Sequence, residues 1–485
     1  MGFIISGQAT APGESYFIAQ GPSNGTSEGK SIARDSLGNI YTVGTLDSGV
    51  NVSIAKYDST GTIVWQYKID SGAADAGFGI HIDSSDNIFV VGRTGGGAGY
   101  NSPGYPSNEG AGPAGRMQVV KFNTSGAVQW QRRITEITYN NGFSEILNIV
   151  SDSSGNLYIA GRYNITSCVI KLNSSGIVQW FKSGATSIIA SLAIDSSNNL
   201  YVIGSKSSPS VSNYTASIVK LDSSGSQLWH KTWAGNTAAG NFAGGITVSS
   251  SGYVYVSFSA NSASDGFLTK LAADGTQVWQ RKIASPGGFE TSWLPFSTVS
   301  VDSSDNVYWI MNAEYNYSSS VGFQNQKAII VKYNSSGTQQ WQQHMYVSGT
   351  SYPNAFDSLS KIIVDNSSSF YVTGKMNNKV AFAKLPVDGT QTGTYTVGGV
   401  SIIYNASTLA ESAGTITLAT SASTSFSTIT SYTEQATTLT PTSTALTTVR
   451  TVTGTGAGTV IPSGMTMSGT GTGMVISSYV APTGT

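Results

Sequence analysis

Apolar and polar residues alternate with a period of two along most of the chain up to about residue 398, in short runs broken by Ser, Asp, Asn and Gly. That is the pattern of half-buried β-strands, not of helices. Between residues 79 and 131 the runs fall at 79–82, 87–91, 118–122 and 127–131. The first pair is joined by Asp83-Ser-Ser-Asp-Asn87 and the second by Asn123-Thr-Ser-Gly126. Asp, Asn and Ser side chains bond nearby backbone and Gly accepts positive φ, so both joints read as hairpin turns. The unit is four short antiparallel strands.

The unit recurs. Its first half, Asp-Ser-x-Gly/Asp-Asn-apolar-Tyr, occupies 35–41, 83–89 (with Phe89 for Tyr), 152–158, 195–201 and 302–308, with degenerate copies at 249–255 and 365–371. Its second half, Lys-apolar-Asp/Asn-Ser-x-Gly-x-x-x-Trp, runs from Lys56 to Trp65, Lys121 to Trp130, Lys171 to Trp180 and Lys220 to Trp229. Lys270 to Trp279 and Lys332 to Trp341 continue it, and a seventh copy keeps Lys384 and Gly389 but has Gly393 in the Trp position. Seven four-stranded modules at intervals of ~43–69 residues predict an all-β fold, a seven-bladed β-propeller whose radial closure disposes of most free strand edges.

Residues 16–398 resemble the seven-bladed propeller repeat built on Gly-Asn-x-Tyr-x-x-Gly and Lys-x-Asp-x-x-Gly-x-x-x-Trp. The resemblance implies fold and not activity, because propellers host unrelated functions. It divides the chain into a propeller, 1–398, and a tract, 399–485. Residues 16–20 precede the first module with the spacing of an outer strand that has no blade of its own. They are expected to complete or flank the seventh blade as a latch; the rival closing strand is 390–397. The six tryptophans, at one register, are expected to pack between blades or at their outer rim. The repeated lysines are expected to carry charge at strand edges.

The chemistry is thin. Net charge is −1 and only 11% of the 485 residues are charged, so no field for nucleic acid is present. No apolar run approaches a membrane span. The N-terminus lacks the basic region of a secretory signal, although Gly2 fits the loose myristoylation pattern. One cysteine, Cys168, excludes an intrachain disulfide framework. The three histidines, His81, His230 and His344, are scattered, and no Gly-x-Ser-x-Gly or His-x-x-x-His is present. The turn aspartates lack the spacing of a calcium loop. No catalytic residue, metal or cofactor is expected.

In an up-and-down blade the first and third turns share one face, and here they are of the tight Asp-Ser-x-Gly type in nearly every copy. Length variation falls on the opposite face, in segments 95–116, 205–216, 284–297, 312–326 and 346–358. These hold the ligand-binding candidates Tyr100, Tyr105, Tyr214, Trp293, Tyr315, Tyr317 and Tyr352. Variable loops on a rigid scaffold are the usual setting for recognition. Their aromatics suit sugar stacking, a protein contact or packing among themselves.

Residues 399–485 hold three charged side chains, Glu411, Glu434 and Arg450, and 37 of the 87 are Ser or Thr. So little apolar material does not build a core alone, which predicts order only against neighbouring subunits or a larger assembly. Propeller plus charge-poor β tract resembles the structural proteins of tailed bacteriophages, particularly those of marine bacteria and cyanobacteria. That resemblance implies a non-enzymatic virion protein (tail fibre, baseplate or capsid decoration) joined to other virion proteins through 399–485, oligomeric or within a larger assembly, and able to meet a host cell-surface glycan or receptor. The alternatives are a bacterial extracellular or cell-surface adhesin and a tailspike-like glycan depolymerase.

Overall fold

The computed structural model describes residues 17–20, 27–46, 51–70, 74–96, 116–136, 144–163, 166–184, 188–208, 211–234, 242–260, 265–284, 298–318, 322–348, 358–365, 368–376, 378–397, 400–414, 417–420, 427–428 and 432–436. They form an all-β, seven-bladed propeller of seven antiparallel sheets. Blades one to seven span residues 28–69, 74–136, 144–183, 188–234, 242–284, 298–347 and 358–386. The inner strand of each blade touches the inner strand of the next, and the inner strand of blade seven, Ser358–Val364, returns to that of blade one, Glu28–Arg34. The ring is closed.

The turn motif explains itself locally. Asp35 Oδ1 accepts the backbone N–H groups of Leu37 and Asn39, while Oδ2 accepts Asn39 Nδ2 and the Tyr41 hydroxyl at 3.0 Å. Asp152, Asp195 and Asp302 repeat the arrangement with Tyr158, Tyr201 and Tyr308. Burial, followed by the neighbouring carboxylate, holds the Tyr201 phenol far above its ordinary range. Desolvation opposes ionisation of Asp195, but hydrogen bonds from Asn199 and Tyr201 and the Lys220 charge outweigh it and hold the carboxyl low. The motif lysine lies over the aromatic ring of its own blade in all seven copies, as Lys220 does over Tyr201 at 4.8 Å.

In five of the copies that lysine does not simply decorate a strand edge, as the sequence had suggested; its ammonium reaches into the next blade. Lys56 and Trp65 Nε1 both donate to the carbonyl of Thr124, at 3.0 and 3.3 Å. Lys171 with Trp180, Lys220 with Trp229, Lys270 with Trp279, and Lys332 with Trp341 likewise share the carbonyls of Ser223, Ala273, Ser335 and Val387. Each half-buried indole lies on the glycine of the same turn. A Cβ at Gly176 would sit 2.9 Å from Trp130 Cζ3, and one at Gly389 would sit 2.7 Å from Trp341 Cδ2. These glycines also have positive φ, +79° and +75°, so the turn and the indole demand the same residue. At blade two, Arg132 donates to Ser175 O of the next turn at 2.9 Å and covers the Trp130 ring.

Seven apolar clusters fill the seven junctions, one each. The smallest joins blades seven and one through Ile32, Ile40, Ala55, Tyr57, Tyr371 and Phe382, with the Tyr57 and Phe382 rings 4.1 Å apart.

Blade seven supplies three strands, and its outer position is taken by Phe17–Gln20, antiparallel to Lys379–Pro386. The Ile18 side chain is 1% exposed in the cluster between blades six and seven. The rival, Gly393–Val397, instead pairs with Val400–Ala406 outside blade six.

Four strands per blade is too few for most of the ring. Val400–Ala406 adds to blade six, Glu411–Ala413 to blade five, Thr417–Thr420 to blade four, Ser427–Thr428 to blade three and Tyr432–Ala436 to blade two. The C-terminal tract runs round the rim against the blade order. Over these residues it finds its partners within the chain, where the sequence had suggested other subunits. The blades' outer edges offer unpaired backbone groups, and that compensates for a scarcity of apolar side chains. Ile402 and Tyr404 enter the core between blades six and seven; Leu409 and Leu418 cover the two junctions before it. Segments 205–216 and 312–326, read as loops, are mostly strand: hairpins Leu200–Ser208 with Val211–Leu221 and Val307–Ser318 with Gly322–Tyr333 rise above the face.

Replacing Ile18 by Asp is expected to cost ~3 kcal/mol or more in urea unfolding, because a carboxylate would be buried unpaired. Unchanged stability would deny the outer strand a role in closure. Trp229→Ala is expected to cost ~2–4 kcal/mol, and Trp229→Phe less, since the ring remains while the bond to Ala273 is lost.

Candidate functional site

The two faces differ in what they leave available. On the face of tight turns, neighbouring blades use the turn groups on each other. Ser36 donates its N–H and Oγ–H to Asp86 at 2.9 and 2.6 Å. Ser153 N–H and Asn198 Nδ2 make the same kind of link between blades three and four, and Ser251 Oγ donates to Asp305 between blades five and six. Asp86, Asn198 and Asp305 all have φ near +60° (59°, 62° and 60°). Hydrogen bonds from Ser36 hold the Asp86 carboxyl below its usual range. Blades one to six are thereby stitched in pairs, with glycine at the same turn position in the odd-numbered blades (Gly38, Gly155, Gly252).

Of the variable segments, the structure describes most of 205–216 and 312–326. Tyr214 pairs with Ser207 in the blade-four hairpin; Tyr315 pairs with Gln324 and Tyr317 with Phe323 in the blade-six hairpin. These three candidates thus stand on raised ribbons separated by blade five. Tyr100, Tyr105, Trp293 and Tyr352 lie outside the described residues. Of the described candidates, Tyr214 belongs to blade four and Tyr315 and Tyr317 to blade six. Trp65, Trp130, Trp180, Trp229, Trp279 and Trp341 are the junction indoles of the fold.

A third set of polar groups lies along the axis, on the inner strands, where sequence reading had seen His81 only as one of three scattered histidines. His81 of blade two meets Ser151 Oγ of blade three, Nε2 to oxygen 2.8 Å. Asn148 Nδ2 donates to Ser191 Oγ of blade four at 2.8 Å. Burial pushes His81 down to about 4, Asp83 opposing and Lys361 of blade seven adding to the shift. Lys361 is itself lowered by burial. The signal was a polar residue two or four positions before the turn Asp, where most copies have small or apolar ones. A histidine bonded to a serine has the first two parts of a nucleophilic triad. Among the described residues no carboxylate is bonded to its Nδ1, and the lowered pKa makes it a weak base. Cys168 is buried and its thiol is pushed up by that burial, which suppresses thiolate chemistry. Among the described residues no group of His, Cys, Asp or Glu is placed to hold a metal, and no helix is long and apolar enough to cross a membrane.

Residues 16–45 match the family model described as beta-propeller repeat. An uncharacterized WD repeat-containing protein of Acanthamoeba polyphaga mimivirus is 29% identical over 126 residues, 24% of this chain and 9% of that relative. The chain therefore spans less than a tenth of the relative's length. Among solved structures, a protein from Lactobacillus plantarum is 14% identical with a TM-score of 0.43, over 68% of this chain and 91% of that one. A functionally unknown protein from Desulfotomaculum acetoxidans is 12% identical with a TM-score of 0.40, over 65% and 84%. A luciferin-regenerating enzyme is 13% identical with a TM-score of 0.34, over 61% and 87%.

Acidification tests the axial imidazole. His81 is neutral when folded and protonates once released, so between its ordinary 6.5 and about 4 the unfolded chain binds more protons and stability falls as pH falls. His81→Asn is expected to flatten the melting temperature in that window, leaving a smaller slope from His344, which is also lowered by burial and by Lys327. A slope equal to the unsubstituted protein's would remove His81 as its source.

Proposed function

We propose that the protein is a non-catalytic structural component of a virus particle, of the tail-fibre, baseplate or capsid-decorating kind, and that its loop face docks onto a host-surface glycan. The observation that carries this reading is the asymmetry of the two faces. One face spends its turn groups on binding blade to blade. The other has two long hairpins that hold Tyr214, Tyr315 and Tyr317. A rigid scaffold that presents irregular aromatic ribbons on one side only is suited to recognition. The belted rim, low in charge, suits packing within an assembly. The viral origin of the 126-residue relative is in keeping with it.

Binding of the labelled full chain to intact bacteria and to their extracted surface polysaccharide tests the proposal. Saturable binding is expected, weakened ~10-fold or more by Tyr315→Ala with Tyr317→Ala, since each lost aromatic contact is worth ~1–2 kcal/mol. Absence of binding to any host surface would leave only an architectural role. Release of reducing ends from the polysaccharide would replace the proposal with a depolymerase.

A further inference from the structure

The inner strands share a level that the repeat takes care to build. Four positions before the turn aspartate or its equivalent stand Ser31, Asn148, Ser191, Thr298 and Lys361 in blades one, three, four, six and seven, and glycine in blades two and five. A β-bulge falls here in every blade but the sixth: the register slips immediately before Ser31, Gly79, Asn148, Ser191 and Lys361, and across Gly245. The last glycine of the Tyr/Phe-x-x-Gly motif makes room for it, because the bulge brings a carbonyl of the inner strand onto that position. A Cβ would sit 1.9 Å from Glu28 O at Gly44, 2.1 Å from Ala76 O at Gly92 and 2.0 Å from Ser358 O at Gly374. Bulges re-aim side chains, and these strands touch one another in the ring around the axis.

The level is rich in donors and free of acid. Asn148 Oδ1 accepts the Ile149 N–H and Nδ2 donates to Ser191 Oγ, both at 2.8 Å, which fixes the amide and leaves the Ser191 proton to be donated in turn. Lys361 adds a charge. Among the described residues its ammonium has no ion pair and no hydrogen bond, and the hydroxyl of Ser360 beside it is buried without a partner. The carboxylates of the inner strands, Glu28, Asp75 and Glu145, stand seven or eight positions before the turn. That is ~10 Å or more along the strand from this level, and Glu28 is paired with Lys30 at 2.7 Å. Burial alone lowers Lys361, and its charge reaches His81 of blade two. A charge taken from water without a counter-charge is costly. We propose that this level of the axis is an anion site, where one small singly charged anion sits against the Lys361 ammonium with the hydroxyls and amide of the same ring as its neutral donors. A metal ion does not suit a set made of an ammonium, hydroxyls and an amide with no carboxylate. The site owes nothing to the loop face, so it stands whether or not that face binds a host glycan.

Melting of the full chain in sodium bromide and, separately, in sodium acetate tests this, with ionic strength held constant by a bulky sulfonate salt. A saturable rise in melting temperature is expected with bromide, with acetate or with both, which tells a halide from a carboxylate. In Lys361→Met, which keeps the stem and removes the charge, the apparent Kd is expected to rise ~10-fold or more. Without added anion that variant is expected to melt no lower than the unsubstituted protein, since a buried charge has gone. Crystals of the unsubstituted protein grown in the salt that responds are expected to show the anion on the axis at the level of Lys361. No saturable response to either salt, or an equal response in Lys361→Met, overturns the proposal. An anion found only elsewhere in the crystal, an adventitious ion only, overturns it as well.

Discussion

Each junction with a motif tryptophan turns on a small area: a glycine with positive φ that lies under an indole, beside a carbonyl oxygen that in five of these six junctions receives both that indole's N–H and a lysine ammonium. A four-stranded sheet of short strands is marginal alone. The contact couples each blade to its successor by groups that must be in register simultaneously, since the lysine is also held over its own tyrosine and near its own turn aspartate, Lys220 Nζ standing 3.6 Å from Asp195. A chain of aspartate, tyrosine, lysine and next-door carbonyl therefore passes from blade to blade. It makes the repeat motif a description of two blades at once: the Asn/Asp-Ser-x-Gly turn serves the blade that owns it and receives the blade before.

The exceptions follow from topology. Blade seven has no motif tryptophan because its outer strand comes from the other end of the chain. The seam between blades seven and one relies instead on the small aromatic cluster of Tyr57 and Phe382 and on the Arg34–Asp365 ion pair at 3.1 Å, which is half-exposed and so worth little. In blade two, Phe89 replaces the tyrosine, and Asp83 accepts from Asn87 and from the Ser85 N–H.

Much of the ring was legible because its constraints are local and repeated. Asp35, Gly38 and Asn39 announce a turn whatever follows, and period-two alternation around Trp65 needs no tertiary information. The position of Phe17–Gln20 was readable from spacing. The lysine's destination was not, because nothing in the strand that holds Lys56 mentions Thr124. The belt was least readable of all. Its strands are as short as the pair Ser427–Thr428, and their register is dictated by edges hundreds of residues earlier. On the candidate face, sequence reading took 205–216 and 312–326 for loops, since length alone does not separate a loop from a long hairpin. His81 was read only as one of three scattered histidines and Lys361 went unremarked, because a single polar residue on an inner strand breaks no local rule.

The pairing of Phe17–Gln20 with Lys379–Pro386 has a consequence for biosynthesis. The ribosome delivers one partner more than three hundred and fifty residues before the other, a wait of roughly 20–70 s at about 5–20 residues per second. Throughout that interval the nascent polypeptide holds an unmatched segment whose Ile18 has no burial place yet. Only afterwards do the rim strands emerge, starting with the one nearest the seam. Translation order thus makes the torus shut first and be girdled second, and it leaves the nascent chain most exposed to misassociation just before its seventh sheet appears.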